Sequence, residues 1–239
     1  MLLTTKNSIR EAINSNSTIN KISIIQGVKD GEILRLVSQA RAKKIKIEYL
    51  NRQAHNSKFG KTQGIACDVV DFKYCEVKDI LDLATEKSEL PFVLILDGIN
   101  DPHNFGAIIR SAECAGVHGI IIQKDRSVAV NDTVLKVSTG AAENMLIARV
   151  ANLNNEIEKL KKQGLWVWAA EAGGADIHAV NLNGPIAVII GSEGNGVSRL
   201  TKERCDGIIS LEMRGKVNSL NASVATGIVL FEILRQRGI

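Results

Sequence analysis

Hydrophobic positions recur along this chain at two spacings, and the balance between them changes near residue 91. Before that point, "KNSIREAINS" and "DGEILRLVSQARAKK" carry apolar residues at helical intervals, while "KISIIQ", "IKIEYL" and "GIACDVV" are short apolar runs that predict strands. Beyond it, apolar runs predict strands at 92–96, 119–122, 145–150, 165–170, 186–190 and 208–212. Helical periodicity falls between most of them, at 104–115, 131–142, 153–163, 197–205 and 219–236. Gly164 follows "NLNNEIEKLKKQ" as an expected C-terminal cap, and the last helix gathers Leu220, Val224, Ile228, Phe231 and Leu234 on one stripe. Runs that are apolar throughout, separated by helices, predict an α/β fold: a mostly parallel sheet with helices on both faces. The expected organisation is a small α/β domain over 1–71, a linker over 72–90 that is acidic and partly helical in pattern, and a larger α/β domain over 91–239.

Charge sharpens the division. The net charge is +4, yet residues 1–65 hold 12 Lys and Arg against four acids, whereas 91–239 hold 15 of each sign. The densest part is "RAKKIKIEYLNRQAHNSKFGK", and a one-sided basic patch is the electrostatic footprint of a polyanion; an ordinary solvated surface is the alternative. No apolar stretch reaches the length of a membrane span, and the opening "MLLTTKNSIREAI" lacks a signal-peptide pattern, so a cytoplasmic protein without membrane contact is expected. Cys67, Cys75, Cys114 and Cys205 are scattered, which predicts reduced, mostly buried thiols and no metal site.

Ligands in sheets of this kind bind beyond the carboxyl ends of the strands. Three such loops are polar or glycine-rich: "DGINDPHNFGAIIR" after 92–96, "GSEGNGVSRL" after 186–190, and "MRGKVNSLNAS" after 208–212. One of them alone would be a turn; three with polar side chains at helix starts point to a site. Neither "GKT" at 60–62 nor "GSEGNG" completes a nucleotide fingerprint. The first has His55 where a P-loop needs Gly, and the second has its glycines at 191, 194 and 196, out of GxGxxG order. A nicotinamide-dependent oxidoreductase is therefore disfavoured.

These three segments resemble the motifs of the SpoU (TrmH-type) branch of the SPOUT RNA 2′-O-ribose methyltransferases, most closely its bacterial ribosomal RNA guanosine-2′-O-methyltransferases. The resemblance covers nearly the whole chain. It implies S-adenosyl-L-methionine as cofactor, a deep trefoil knot in the C-terminal domain, and a homodimer whose sites lie at the subunit interface. It places Asn104 and Arg110 in the first motif, Glu193 in the second, and Ser219 and Asn221 in the third, as functional residues. Gly191, Gly194, Leu211 and Leu220 fall where the cofactor is held. The first domain is similar to the ribosomal-protein-like RNA-binding domain of family members, although "TTKNSI" and "TQG" replace the usual segments, with Thr62 for a histidine. The implied partner is structured RNA, in the large ribosomal subunit; a tRNA ribose methyltransferase and a non-catalytic RNA-binding module are the rivals.

The chemistry fits these residue types. Methyl transfer from a sulfonium is an in-line displacement on a weakly acidic hydroxyl, so alignment and help with the proton are both needed. Arg110 serves either as base or, since guanidinium stays protonated, as a fixed cation beside the phosphate and developing alkoxide. Glu193 is expected to hold Arg110 by a bidentate pair, with Asn104 and Asn221 as orienting groups. Asn104 and Ser219 each have a simpler reading as helix N-caps. His103 is expected to position its loop, Trp166 and Trp168 to pack on the sheet, and Arg214 and Lys216 to be surface charges near the site.

Overall fold

The computed structural model describes residues 1–14, 18–70, 72–215 and 219–238. The chain divides into two compact units: Met1–Lys73 with Val130–Asp132, and Tyr74–Ala129 with Thr133–Ile239. The first contains β1 (Leu2–Leu3), α1 (Lys6–Asn14), β2 (Ile19–Ile25), α2 (Gly31–Ala42), β3 (Ile47–Leu50), α3 (Arg52–Phe59) and β4 (Ile65–Val69). Its sheet runs β1-β4-β2-β3, with β2 and β3 parallel and the other pairs antiparallel. Ile9 and Ile13 of α1 and Ile33, Leu36 and Val37 of α2 close over Ile22, Ile24, Ile65 and Cys67, so the helical periodicity is spent on covering this sheet. Asp30 caps α2 by accepting from the Glu32 and Ile33 amides.

The periodicity did not reveal α3. Only His55 of this helix is buried, so no apolar stripe marks it, and its start is set by Asn51, whose side chain accepts from the Ala54 amide.

The second unit contains α4 (Val77–Glu86), β5 (Phe92–Asp97), α5 (Pro102–Cys114), β6 (Gly119–Gln123), α6 (Asp132–Ser138), α7 (Ala141–Asn144), β7 (Leu146–Val150), α8 (Leu153–Lys162), β8 (Trp166–Asp176), β9 (Ile186–Gly191), α9 (Arg199–Arg204), β10 (Gly207–Ser210) and α10 (Ala222–Gln236). Its six strands are all parallel in the order β10-β8-β9-β5-β6-β7, the expected α/β class. β5 and β9 lie side by side at the centre, with Asp97 opposite Gly191. Their loops thus leave the sheet together where the strand order reverses, the place at which such sheets bind ligands.

Three expectations are corrected. The stretch 72–90 is not a linker: α4 buries Ile80 and Ala84, and Ile80 joins the core formed by Val93, Ile95 and Ile157. The helix expected at 131–142 breaks into α6 and α7, because Thr139 (φ 49°) and Gly140 (φ 91°) occupy the left-handed region. Trp166 does not pack on the sheet; it is 59% exposed. Gly164 does terminate α8, at φ 89°. Cys67 and Cys205 behave as burial predicts, their thiols pushed up to about 12, while Cys114 is exposed. His118 is buried where α5 meets β6; its Nδ1 accepts the Phe92 amide, Glu89 meets its Nε2, and burial lowers its pKa from the usual 6.5.

Candidate active site

Glu193 lies at the tip of the loop leaving β9, and three donors converge on its Oε1. Asn104 Nδ2 donates at 3.2 Å, the Ala222 amide at 3.3 Å, and Asn221 Nδ2 donates to the same oxygen. Asn221 Nδ2 also donates to Asn104 Oδ1 at 2.9 Å. One residue from each of the three motifs is therefore tied into a single polar cluster. Asn221 does more: its Oδ1 caps α10 by accepting from the Ser223 and Val224 amides. The N-cap of α10 is thus Asn221 and not Ser219, and that of α5 is Asp101, which accepts from the His103 amide. Pro102 takes the first helical position, leaving Asn104 turned inward and buried. His103, in the first turn of α5, is exposed.

Beside this cluster opens a cavity of about 700 Å³. Gly191, Glu193, Gly194, Leu211, Ser219, Leu220 and Asn221 all line it, seven of the nine residues singled out in the sequence. The β9 loop is folded back on itself by a bridge between Ser192 and Gly196. A side chain at 191 would place its Cβ 2.0 Å from the Gly196 carbonyl carbon, so only glycine permits this closure.

Two acids that sequence reasoning missed hold the loop from below. Glu171, midway along β8 and just past its pairing with β9, accepts the Val197 amide at 2.7 Å and meets Lys202 at 3.5 Å. Its carboxylate would lie 2.4 Å from a Cβ at Gly196, so this glycine makes room for it. Asp97, at the end of β5, accepts the Ser198 amide at 2.9 Å. Asp97 closes the apolar strand "FVLILD" at its carboxyl end, and Glu171 directly follows the β9-paired run "WVWAA"; an acid after an apolar run is the signal that marks both.

Arg110 stands elsewhere. Six residues of α-helix separate it from Asn104 by about 9 Å of rise and turn it to another face. It is exposed, has no acid partner among the described residues, and lines a different cavity with Glu113, Glu143 and Asn144. The expected bidentate pair with Glu193 is therefore absent; Glu193 is held by Asn104, Asn221 and the Ala222 amide instead. Arg214 is exposed and meets Glu212 at 3.5 Å, and Lys216 lies outside the described residues.

A family model described as the SpoU rRNA Methylase family matches residues 91–231, the span that builds this cavity. The chain belongs to the SpoU family of RNA methyltransferases. A second model, for RNA 2′-O ribose methyltransferase substrate binding, matches residues 6–75. YacO of Bacillus subtilis (strain 168), named for the TrmH family of tRNA/rRNA methyltransferases, is 41% identical over 97% of this chain and 94% of its own length. Among solved structures, the SpoU methyltransferase AviRb from Streptomyces viridochromogenes, crystallised with the cofactor AdoMet, aligns over 99% of this chain and 90% of its own at TM-score 0.63 and 21% identity, a likeness of fold. The TrmH/SpoU tRNA modifying enzyme of A. aeolicus covers 63% of this chain and 77% of its own at TM-score 0.58 and 28% identity. SpoU family members use S-adenosylmethionine. The residues here fit that group: a cavity of cofactor size, lined by a glycine-closed backbone loop and by Leu211 and Leu220.

Proposed function

We propose that this chain is an S-adenosylmethionine-dependent RNA ribose 2′-O-methyltransferase that works as a cytoplasmic homodimer on a guanosine of large-subunit ribosomal RNA. The observation that carries it is the tie between Asn104, Glu193 and Asn221 at the mouth of the 700 Å³ cavity. When bound, S-adenosylmethionine supplies an electrophilic methyl on sulfur. Gly191, Gly194, Leu211 and Leu220 hold it, with Ser219 and Asn221 at the rim. Asn221 and Asn104 set the Glu193 carboxylate, and that network fixes the entry side of the cavity.

Arg110 acts as a cation. It holds a phosphate of the target nucleotide and steadies the 2′-oxygen as its proton leaves for water. Because α5 turns it away from Glu193 of its own chain, it serves the cofactor cavity of a second copy. Support for that copy comes from α10: Val224, Ile228 and Phe231 are 45–50% exposed, an apolar stripe, and Leu220 just before the helix is 38% exposed. Support for RNA capture by the first unit comes from its charges. Its acids Asp30, Glu32 and Glu48 pair with Lys6, Arg10, Lys21 and Lys58, whereas Arg35, Lys44, Lys46, Arg52 and Lys61 have no acid partner among the described residues.

The test is a map of 2′-O-methylation in ribosomal RNA and tRNA from cells lacking the protein. One methyl lost at a guanosine of large-subunit ribosomal RNA is expected. Loss in a tRNA instead would replace the ribosomal substrate, and no loss in either would refute methyl transfer to RNA.

A further inference from the structure

The cavity next to Arg110 has about 450 Å³ and two walls. One is α5, with Arg110 and Glu113; the other is the turn Thr139–Gly140 and α7, with Glu143 and Asn144. The left-handed break at Thr139 and Gly140 is what brings α7 across to face α5, against which it packs. Both glutamates are exposed, and neither is in an ion pair among the described residues.

Unpaired carboxylates are out of place in a cleft that receives RNA, because each repels phosphate. A donor in the substrate facing one of them would offset that repulsion. The nucleobases differ in this respect. Guanine alone carries two adjacent donors, N1–H and the N2 amine, on its Watson–Crick edge, matching the two oxygens of one carboxylate. Adenine and cytosine set a single amine beside an acceptor, and uracil sets one N–H between two carbonyls. An unstacked base in RNA is read along this edge. Glu113 follows Arg110 by three residues on the same helix and is within that cation's reach. Glu143 has no basic residue on its own element, and Asn144 beside it offers an amide donor for guanine O6.

We infer that Glu143 selects the target base by accepting guanine N1–H and N2–H in this cavity, with Asn144 at O6 and Arg110 beside the ribose phosphate. This rests on the proposed RNA methyltransferase activity and adds a base-reading residue to it. The trinucleotides UGU, UIU and UAU serve as probes in equilibrium dialysis against the full chain, inosine being guanosine without the N2 amine. The wild type should bind UGU about tenfold more tightly than UIU, and more tightly than UAU. Glu143→Gln should bind UGU and UIU alike, while Glu113→Gln keeps the preference and both variants keep cofactor affinity. A Glu143→Gln protein that still prefers UGU, or a wild type that never does, overturns the assignment. Transfer of labelled methyl to total cellular RNA is measured alongside. Transfer without guanine preference sinks only the role of Glu143; absence of transfer sinks the activity on which it rests.

Discussion

Asn221 shows how one side chain serves local structure and chemistry together. Its carbonyl oxygen caps α10 while its amide binds Asn104 and Glu193, so the start of the last helix and part of the lining of the 700 Å³ cavity are the same object. Asn104 was legible as a polar residue at a helix start, but its burial and partners were not, because they depend on Asp101 capping the helix and on a residue 117 positions away. Arg110 gives the sharper lesson. Sequence reasoning paired it with Glu193, and helix geometry forbids that within one chain. Since Arg110 does not line the 700 Å³ cavity of its own chain and is assigned to the substrate's phosphate, Arg110→Ala should cut methyl transfer at least about a hundredfold while leaving cofactor affinity unchanged. Single-turnover transfer and cofactor calorimetry check both halves, and near-normal turnover would remove Arg110 from the chemistry.

At the scale of elements, the periodic segments were found and the aperiodic ones were not. α8 and α10 announce themselves by apolar spacing, whereas α3 exposes nearly all its residues, and the charges of "EVKDILDLATEK" hid that α4 is part of the core. The stripe on α10 has a second meaning. Its buried face is Thr226, Val229, Leu230 and Ile233, so Val224, Ile228 and Phe231 are left over from the fold of one chain. Placing a charge there should not unfold the chain, because these side chains are already half in water. Ile228→Asp should instead give a stably folded monomer by sedimentation, with methyl transfer lost. A variant that remains dimeric would move the subunit contact to another surface.

At the scale of the molecule, the two units differ in charge. The second holds 17 basic against 19 acidic residues, and the first, with 13 against 7, carries the positive excess. Replacing Lys44, Lys46, Arg52 and Lys61 by alanine should weaken RNA binding and flatten its dependence on salt, by roughly 0.7–0.9 in the logarithmic slope for each phosphate no longer neutralised. Titration of RNA at several KCl concentrations measures this, and an unaltered slope would make the patch an ordinary surface. The sequence by itself determined the α/β class, the succession of apolar runs, the charge division and the three loops that form the site, because each follows from local periodicity or composition. Tertiary structure alone decided which loop residues touch. Contacts such as Asn221 with Asn104, or Glu171 with the Val197 amide, join segments distant in the chain through the order of parallel strands. It also set Arg110 and Glu143 around one cavity, across a break at Thr139 and Gly140, since the face a helical residue presents is fixed only once the helix is packed.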